Sequence, residues 1–150
     1  PLHLLSNAPK TRLHSQYDCG SYSRALKVQG REPVRISAAD AAARGIRDGD
    51  VVRIHNDRGS CLAGAVVSDA LRPGVVQLPT GAWFDPVDPA GSSMDRHGNP
   101  NVLTPDRGTS KLAQGTSAYS CLVEVERFDG PLPPITCFSQ PAIERRGKAG

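Results

Sequence analysis

Aromatic residues are scarce in this chain: one Trp, three Tyr and three Phe among 150 residues, with a single Met. A core built on large rings is not available, so burial must come from Leu, Val, Ile and Ala. Long apolar runs are missing too; there are only short pieces such as VVRI and AGAVV, far short of a membrane-spanning helix. The four cysteines, Cys19, Cys61, Cys121 and Cys137, never stand at a close metal-ligand spacing, which argues against zinc and iron–sulfur ligation. Cys61 and Cys121 lie in strand-like apolar runs, and buried free thiols are their simplest reading. No GxSxG, HExxH, Walker A or GxGxxG pattern occurs. A self-contained catalytic constellation is therefore missing, and no catalytic or metal-ligating residue is assigned.

Charge of one sign is also lacking. Eighteen basic residues face fifteen acidic ones, a net +3, and only Arg145, Arg146 and Lys148 cluster. No basic stripe tracks a nucleic-acid backbone, so nucleic acid is not an expected partner. A small phosphate-bearing ligand needs only two or three cations and some backbone N–H donors. The chain begins at Pro1 and runs directly into LHLLS, with no leader pattern; the expectation is a piece cut or processed from something longer.

What the sequence has in plenty is glycine (15) and proline (13), so the chain turns often and is not mainly helical. Its length suits one domain. Strands are expected at 2–5, 33–37, 51–56, 59–68, 75–79 and 121–128, the third and fourth as an antiparallel pair across DRG. Ser37 before AADAAARG supplies a capping hydroxyl, and Gly45 closes a short helix. Residues 80 to about 116 are rich in Gly, Pro, Asn, Asp and Ser, the composition of a binding loop or a disordered one. Short strands, one clear helix and tight turns predict a mainly β fold, a small barrel.

Two polar segments carry candidate chemistry. SNAPKTRLHSQ follows the first strand and offers Ser6, Asn7, Arg12, His14, Ser15 and Gln16 at a strand end, where loops present binding groups; on pattern alone a solvated connection is the plainer reading. Arg12 could hold a phosphate bidentately. HGNPNVLT places Asn99 and Asn101 beside Gly98, and asparagine amides can pair with the edge of a heterocycle, although a simple Pro-Asn turn explains the pattern as well. Trp83 and Phe84 read as packing anchors before they read as ligand-stacking rings. Asp85 and Asp88 around Pro86 are weak evidence for acid/base chemistry, and His3 and His55 read as strand imidazoles.

In order along the chain, LHLLSNAPKTRLHSQ, the run from ISAADAAARG through GAWFDP, and HGNPNVLTPDRGTSKLAQG are similar to the C-terminal dinucleotide-binding domain of dimethyl sulfoxide reductase family molybdoenzymes. The resemblance covers about residues 2–128, and RLHSQ, GAWFDP and GNPNVLT resemble most the biotin sulfoxide and trimethylamine N-oxide reductase branch. It implies a double-psi β-barrel with one or two short helices and long loops, spanning 1–128, with 129–150 as an extension that packs on it or is partly disordered. It also implies molybdenum-bis(molybdopterin guanine dinucleotide) in the full-length enzyme, lined here by Ser6, Asn7, Arg12, His14, Ser15, Gln16, Asn99 and Asn101. Arg12 and backbone N–H groups are expected to meet phosphate, and the His and Asn side chains the pterin edges. Ala8 and Tyr119 stand where some relatives carry polar residues.

The implied parent reduces an S-oxide or N-oxide at molybdenum, with upstream domains of the same enzyme and an electron donor as partners, no nucleic acid and no membrane span. The domain alone is expected to be inactive. A cytoplasmic location is favoured, with the periplasm as alternative. The rival readings are a stand-alone double-psi module of the decarboxylase type, self-processing at Gly59-Ser60 or Gly91-Ser92, and a partner-binding adaptor.

Overall fold

Alternation of large aliphatic and polar residues fixes the strands. In β1 (Leu2–Leu5) Leu2 and Leu4 point inward, and in β6 (Cys121–Arg127) Cys121, Val123 and Val125 do so. Between them lie α1 (Ser21–Ala25), β2 (Pro33–Ile36), α2 (Ala38–Ala43), β3 (Val51–His55), β4 (Ser60–Val67), β5 (Val75–Gln77) and a 3₁₀ turn at Pro100–Val102. The computed structural model describes residues 1–90, 94–117 and 120–140.

The six strands close into a barrel in the order β1-β5-β2-β4-β3-β6. Two neighbouring pairs, β1/β5 and β2/β4, are parallel, and the other four contacts are antiparallel. Exchanging each strand for the one three places along, β1 for β4, β2 for β5 and β3 for β6, reproduces the same circular order and the same pattern of parallel pairs. The barrel is thus two interlocked halves related by an approximate two-fold, the topology of a double-psi β-barrel. Inside, Leu4, Val34, Ile36, Val52, Ile54, Val76, Leu78 and Leu103 are fully or almost fully buried, an aliphatic core without a single ring.

Strand direction decides where the connections go. The C-terminal ends of β1 and β5 lie side by side, and their parallel ladder continues past the strands, with the Leu78 N–H donating to the Leu5 carbonyl and Thr80 to Asn7, both at 2.9 Å. The long segments 6–32 and 78–120 both leave from this end. At the opposite end, β2 and β4 finish together, Ser68 N–H donating to the Ile36 carbonyl at 2.9 Å, and 37–50, the short turn 68–74 and the segment after β6 leave there. Ser37 caps α2 as its sequence predicts, accepting from the Asp40 N–H at 3.1 Å. Helix α1 was not foreseen; SYSRA has no capping side chain and no apolar face to announce it.

After β6 the chain turns at Phe128, whose N–H donates to Val51 at the sparse end, and then runs back along the barrel. Its described part is tied down by Arg31 donating to the Pro133 carbonyl at 2.7 Å and Arg96 to Pro134 at 3.1 Å. The basic cluster at 145–148, Tyr119 and the Gly91-Ser92 pair lie outside the described residues.

Candidate functional site

The loaded end is held together by charge. Four side chains from segment 6–32, each at most 2% exposed, form a closed ring of ion pairs: Arg12–Glu32 2.8 Å, Glu32–Lys27 2.7 Å, Lys27–Asp18 2.8 Å and Asp18–Arg12 3.4 Å. Two cations and two carboxylates cancel, which is how four charges can be withdrawn from water together. Ser23 joins them, its hydroxyl donating to Asp18 and accepting from Arg12. Burial pushes the Asp18 carboxyl upward, but Lys27, the Trp83 N–H and Arg12 outweigh it and hold Asp18 below its ordinary value.

This ring grips the second loop. Arg12 donates to the Thr80 carbonyl at 2.8 Å, Asp18 accepts from the Trp83 backbone N–H at 2.9 Å, and the Trp83 indole donates back to the Ser15 carbonyl at 2.8 Å. Between these crosslinks His14 and Tyr17 take left-handed backbone, φ 51° and 64°, a conformation that costs a non-glycine residue free energy. The bend lies against Gly81 (φ 92°), where an added Cβ would stand 1.7 Å from the His14 carbonyl oxygen. Only glycine fits there, on both conformation and space.

Asp95 organises the later part of segment 78–120. Its carboxylate accepts from the backbone N–H groups of Asp85, His97, Gly98 and Asn99, at 2.8, 3.2, 2.6 and 2.7 Å. Burial nevertheless keeps its carboxyl above the usual value, against those four donors. The resulting turn sets Asn99, whose side-chain oxygen caps the 3₁₀ turn by accepting from the Asn101 N–H at 2.9 Å.

The expected binding residues fall around two clefts on either side of segment 6–16. His14, Ser15, Asn99 and Asn101 meet in one, of about 450 Å³, walled by Gly81, Trp83 and Phe84. Asn7 and Arg12 line the other, of about 370 Å³, together with Lys10, Arg35 and Gln77. Ser6 is buried at the strand end, and Gln16 is exposed, its N–H donating to Leu13. Arg12 sits otherwise than a phosphate contact requires, since its charge is committed to Glu32 and Asp18. Lys10 and Arg35, which pattern reading passed over, are exposed on the same cleft with no ion pair among the described residues.

The Asn7 side-chain oxygen is buried without a hydrogen-bond partner. Trp83 is half-buried and held by its backbone N–H and indole, whereas Phe84 stands 56% exposed. None of the four cysteines is paired; Cys61 and Cys121 are buried, and Cys19 is exposed.

Asp18, Lys27, Glu32, Asp95 and His97 escaped the sequence reading. Only Asp95 had a local signal, an Asp followed at three residues by Gly in DRHG, the pattern of a side chain that captures the following N–H groups. For the ion ring no spacing helps, because its members are brought together by the fold.

A closed double-psi barrel with two crosslinked loops and two clefts at one end has the build of a ligand-binding domain. Residues 2–122 match the family described as "Molydopterin dinucleotide binding domain", and the chain belongs to that family. It is 52% identical over 145 residues, 95% of the chain, to trimethylamine-N-oxide reductase of Salmonella typhi, and 49% identical over 142 residues to dimethyl sulfoxide/trimethylamine N-oxide reductase of Cereibacter sphaeroides. The chain spans 17% of the length of each. Among solved structures, acetylene hydratase from Pelobacter acetylenicus superposes with a TM-score of 0.67 over 85% of this chain and 18% of that one, at 17% identity, a likeness of fold.

These relatives shift the weight of the resemblance from biotin sulfoxide reductase to the N-oxide reductase side. They leave the decarboxylase and adaptor readings without support. Gly59 closes the β3–β4 turn and Ser60 begins β4, Gly59 packed so closely on Val102 that an added Cβ would lie 2.6 Å from its carbonyl oxygen.

Proposed function

We propose that this chain is the part of a molybdenum-dependent N-oxide or S-oxide reductase that clamps molybdenum-bis(molybdopterin guanine dinucleotide). The observation that carries the reading is that two long loops, from adjacent parallel strand ends, converge on one polar cleft, with a second cleft, lined mainly by residues 7–35, beside it. The donor set fits such a group. A pterin is a flat heterocycle edged with donors and acceptors, and the His14–Ser15–Asn99–Asn101 cleft offers both kinds. A diphosphate needs cations and N–H groups, and Lys10 and Arg35 can supply charge that Arg12 cannot. The partnerless oxygen of Asn7 is an acceptor ready for an amino or ring N–H.

When bound, the cofactor supplies a metal centre that exchanges two electrons and takes oxygen from an S- or N-oxide. The chain's own residues bind and orient: side-chain amides and imidazole fix the heterocycle, and the buried ion ring keeps the loops from spreading. The remaining domains of the enzyme are the natural cover for Leu13, Tyr17 and Phe84, 63%, 75% and 56% exposed on these loops. A cytoplasmic location is part of the proposal, supported by four unpaired thiols; fractionation of the native protein tests it, a periplasmic product overturning it.

The clamp is tested in the full-length protein by replacing His14 and Asn101 with Ala and measuring molybdenum and released pterin per protein. A clear fall in both is expected. Unchanged occupancy would sink the clamp reading.

A further inference from the structure

We infer that Phe138, on the segment returning after β6, is a positioning residue that wedges the two clamp loops into their binding geometry. The inference rests on the clamp reading above, but its geometry stands alone. Phe138 lies outside residues 2–122, the stretch that matches the family, and far in sequence from either loop. Its ring nevertheless meets both. The His97 imidazole stands edge-on to it, with centroids 5.0 Å apart and planes at 89°, and Trp83 lies 5.6 Å away. From segment 6–32, the Arg24 guanidinium sits over the ring at 5.1 Å and the Lys27 ammonium at 5.9 Å.

Each neighbour is one step from a cleft or crosslink. His97 pairs through Nδ1 with the Trp83 carbonyl at 2.9 Å and immediately precedes Gly98 and Asn99. Trp83 walls the His14 cleft and holds Ser15. Lys27 closes the ion ring. One ring thus joins the Asn99 turn, the Trp83 crosslink and the ion ring.

The chain also works to put it there. Asp85 accepts from the Thr136 hydroxyl and N–H and from the Cys137 N–H at 2.9 Å, so the residues just before Phe138 are fixed by a carboxylate of segment 78–120. Together with the Arg31 and Arg96 donors to Pro133 and Pro134, this makes residues 133–138 a strap whose buckle is Phe138. Edge-to-face and cation–π contacts favour a ring over an aliphatic side chain of equal volume.

The test uses Phe138→Ala, Phe138→Tyr to restore the ring, and Leu132→Ala, on the same segment but 44% exposed, as control. In the full-length protein, amide exchange of 14–18, 80–83 and 97–99 should run about tenfold faster in Phe138→Ala, with β3 and β4 unchanged. Phe138→Tyr should return towards the parent, and Leu132→Ala should match it. Pterin release from the purified protein should accelerate by a similar factor in Phe138→Ala alone. Uniform acceleration across the strands would reduce Phe138 to general packing and overturn the inference. So would unchanged loop exchange, or faster exchange with unchanged pterin release. If the parent itself holds no pterin, the clamp reading fails, and the exchange measurements still decide whether Phe138 positions the loops.

Discussion

The two ends of this barrel share one strand arrangement and carry opposite loads. At the sparse end, where β2 and β4 finish, α2 and the turn before β5 close on themselves: Ser37 caps Asp40, Asp40 accepts from the Gly74 N–H at 2.8 Å, and Arg44 reaches Asp40 at 3.5 Å with side chains 23% and 14% exposed. At the loaded end, four buried charges and a strap from the far end of the chain hold long loops whose regular structure, among the described residues, is α1 and one 3₁₀ turn. The difference teaches that the barrel positions a strand end at no further cost, whereas presenting a ligand from long irregular loops requires buried polar scaffolding.

Removing one cation at each end sharpens this most. Lys27→Met leaves Asp18 and Glu32 buried with one cation between them, and should cost about 3–5 kcal/mol. Arg44→Ala removes a partly exposed pair four residues apart at a helix end and should cost about 0.5 kcal/mol or less. Amide exchange of the barrel strands measures both. Similar costs at the two ends would mean that the ring is surface decoration and the contrast is wrong.

Glycine gives the next comparison. Gly81 and Gly74 have nearly the same backbone, φ 92° and 87°, but an added Cβ meets the His14 carbonyl oxygen at 1.7 Å in one case and nothing within 4 Å in the other. Gly74→Ala should cost about 1 kcal/mol from conformation alone. Gly81→Ala adds the displacement of His14 and should cost about 2–4 kcal/mol, with loss of pterin if His14 lines its site. Equal stabilities would show that segment 14–17 yields freely and that its left-handed residues are not held in place.

These contrasts also explain what could be read in advance. All six strands and α2 were legible to within a residue or two, because alternation in LHLL and CLVEVER and the cap before AADAAARG are local signals that the core later reinforces. The clefts were half legible: dense polar residues after β1 and near Asn99 mark loops that meet ligands, and His14, Ser15, Asn99 and Asn101 do converge. Arg12 was legible as a cation but not as a paired one, since Asp18 and Glu32 stand 6 and 20 residues away in ordinary polar sequence. Phe138 could not be found at all, because its partners come from three separated segments that only tertiary structure joins.

The smallest effect belongs to the sparse end and depends on pH. The Ser37 hydroxyl donates to the Asp40 carboxylate at 2.7 Å, and this bond is the largest of the influences that hold Asp40 below its ordinary 3.8. A carboxyl depressed by folding stabilises the fold above its unfolded value, and that contribution disappears as pH falls through the lower folded value. Ser37→Ala removes both the cap and much of the depression, and should cost about 1 kcal/mol at pH 7. Below the folded value Asp40 is protonated in parent and variant alike, so the gap between them should narrow to the cap's neutral part. Exchange of α2 amides followed from neutral pH down through the acid range reads the difference, and the loaded end should show none. A gap that stays constant would assign the whole effect to the Asp40 N–H bond and leave the carboxylate without a part in it.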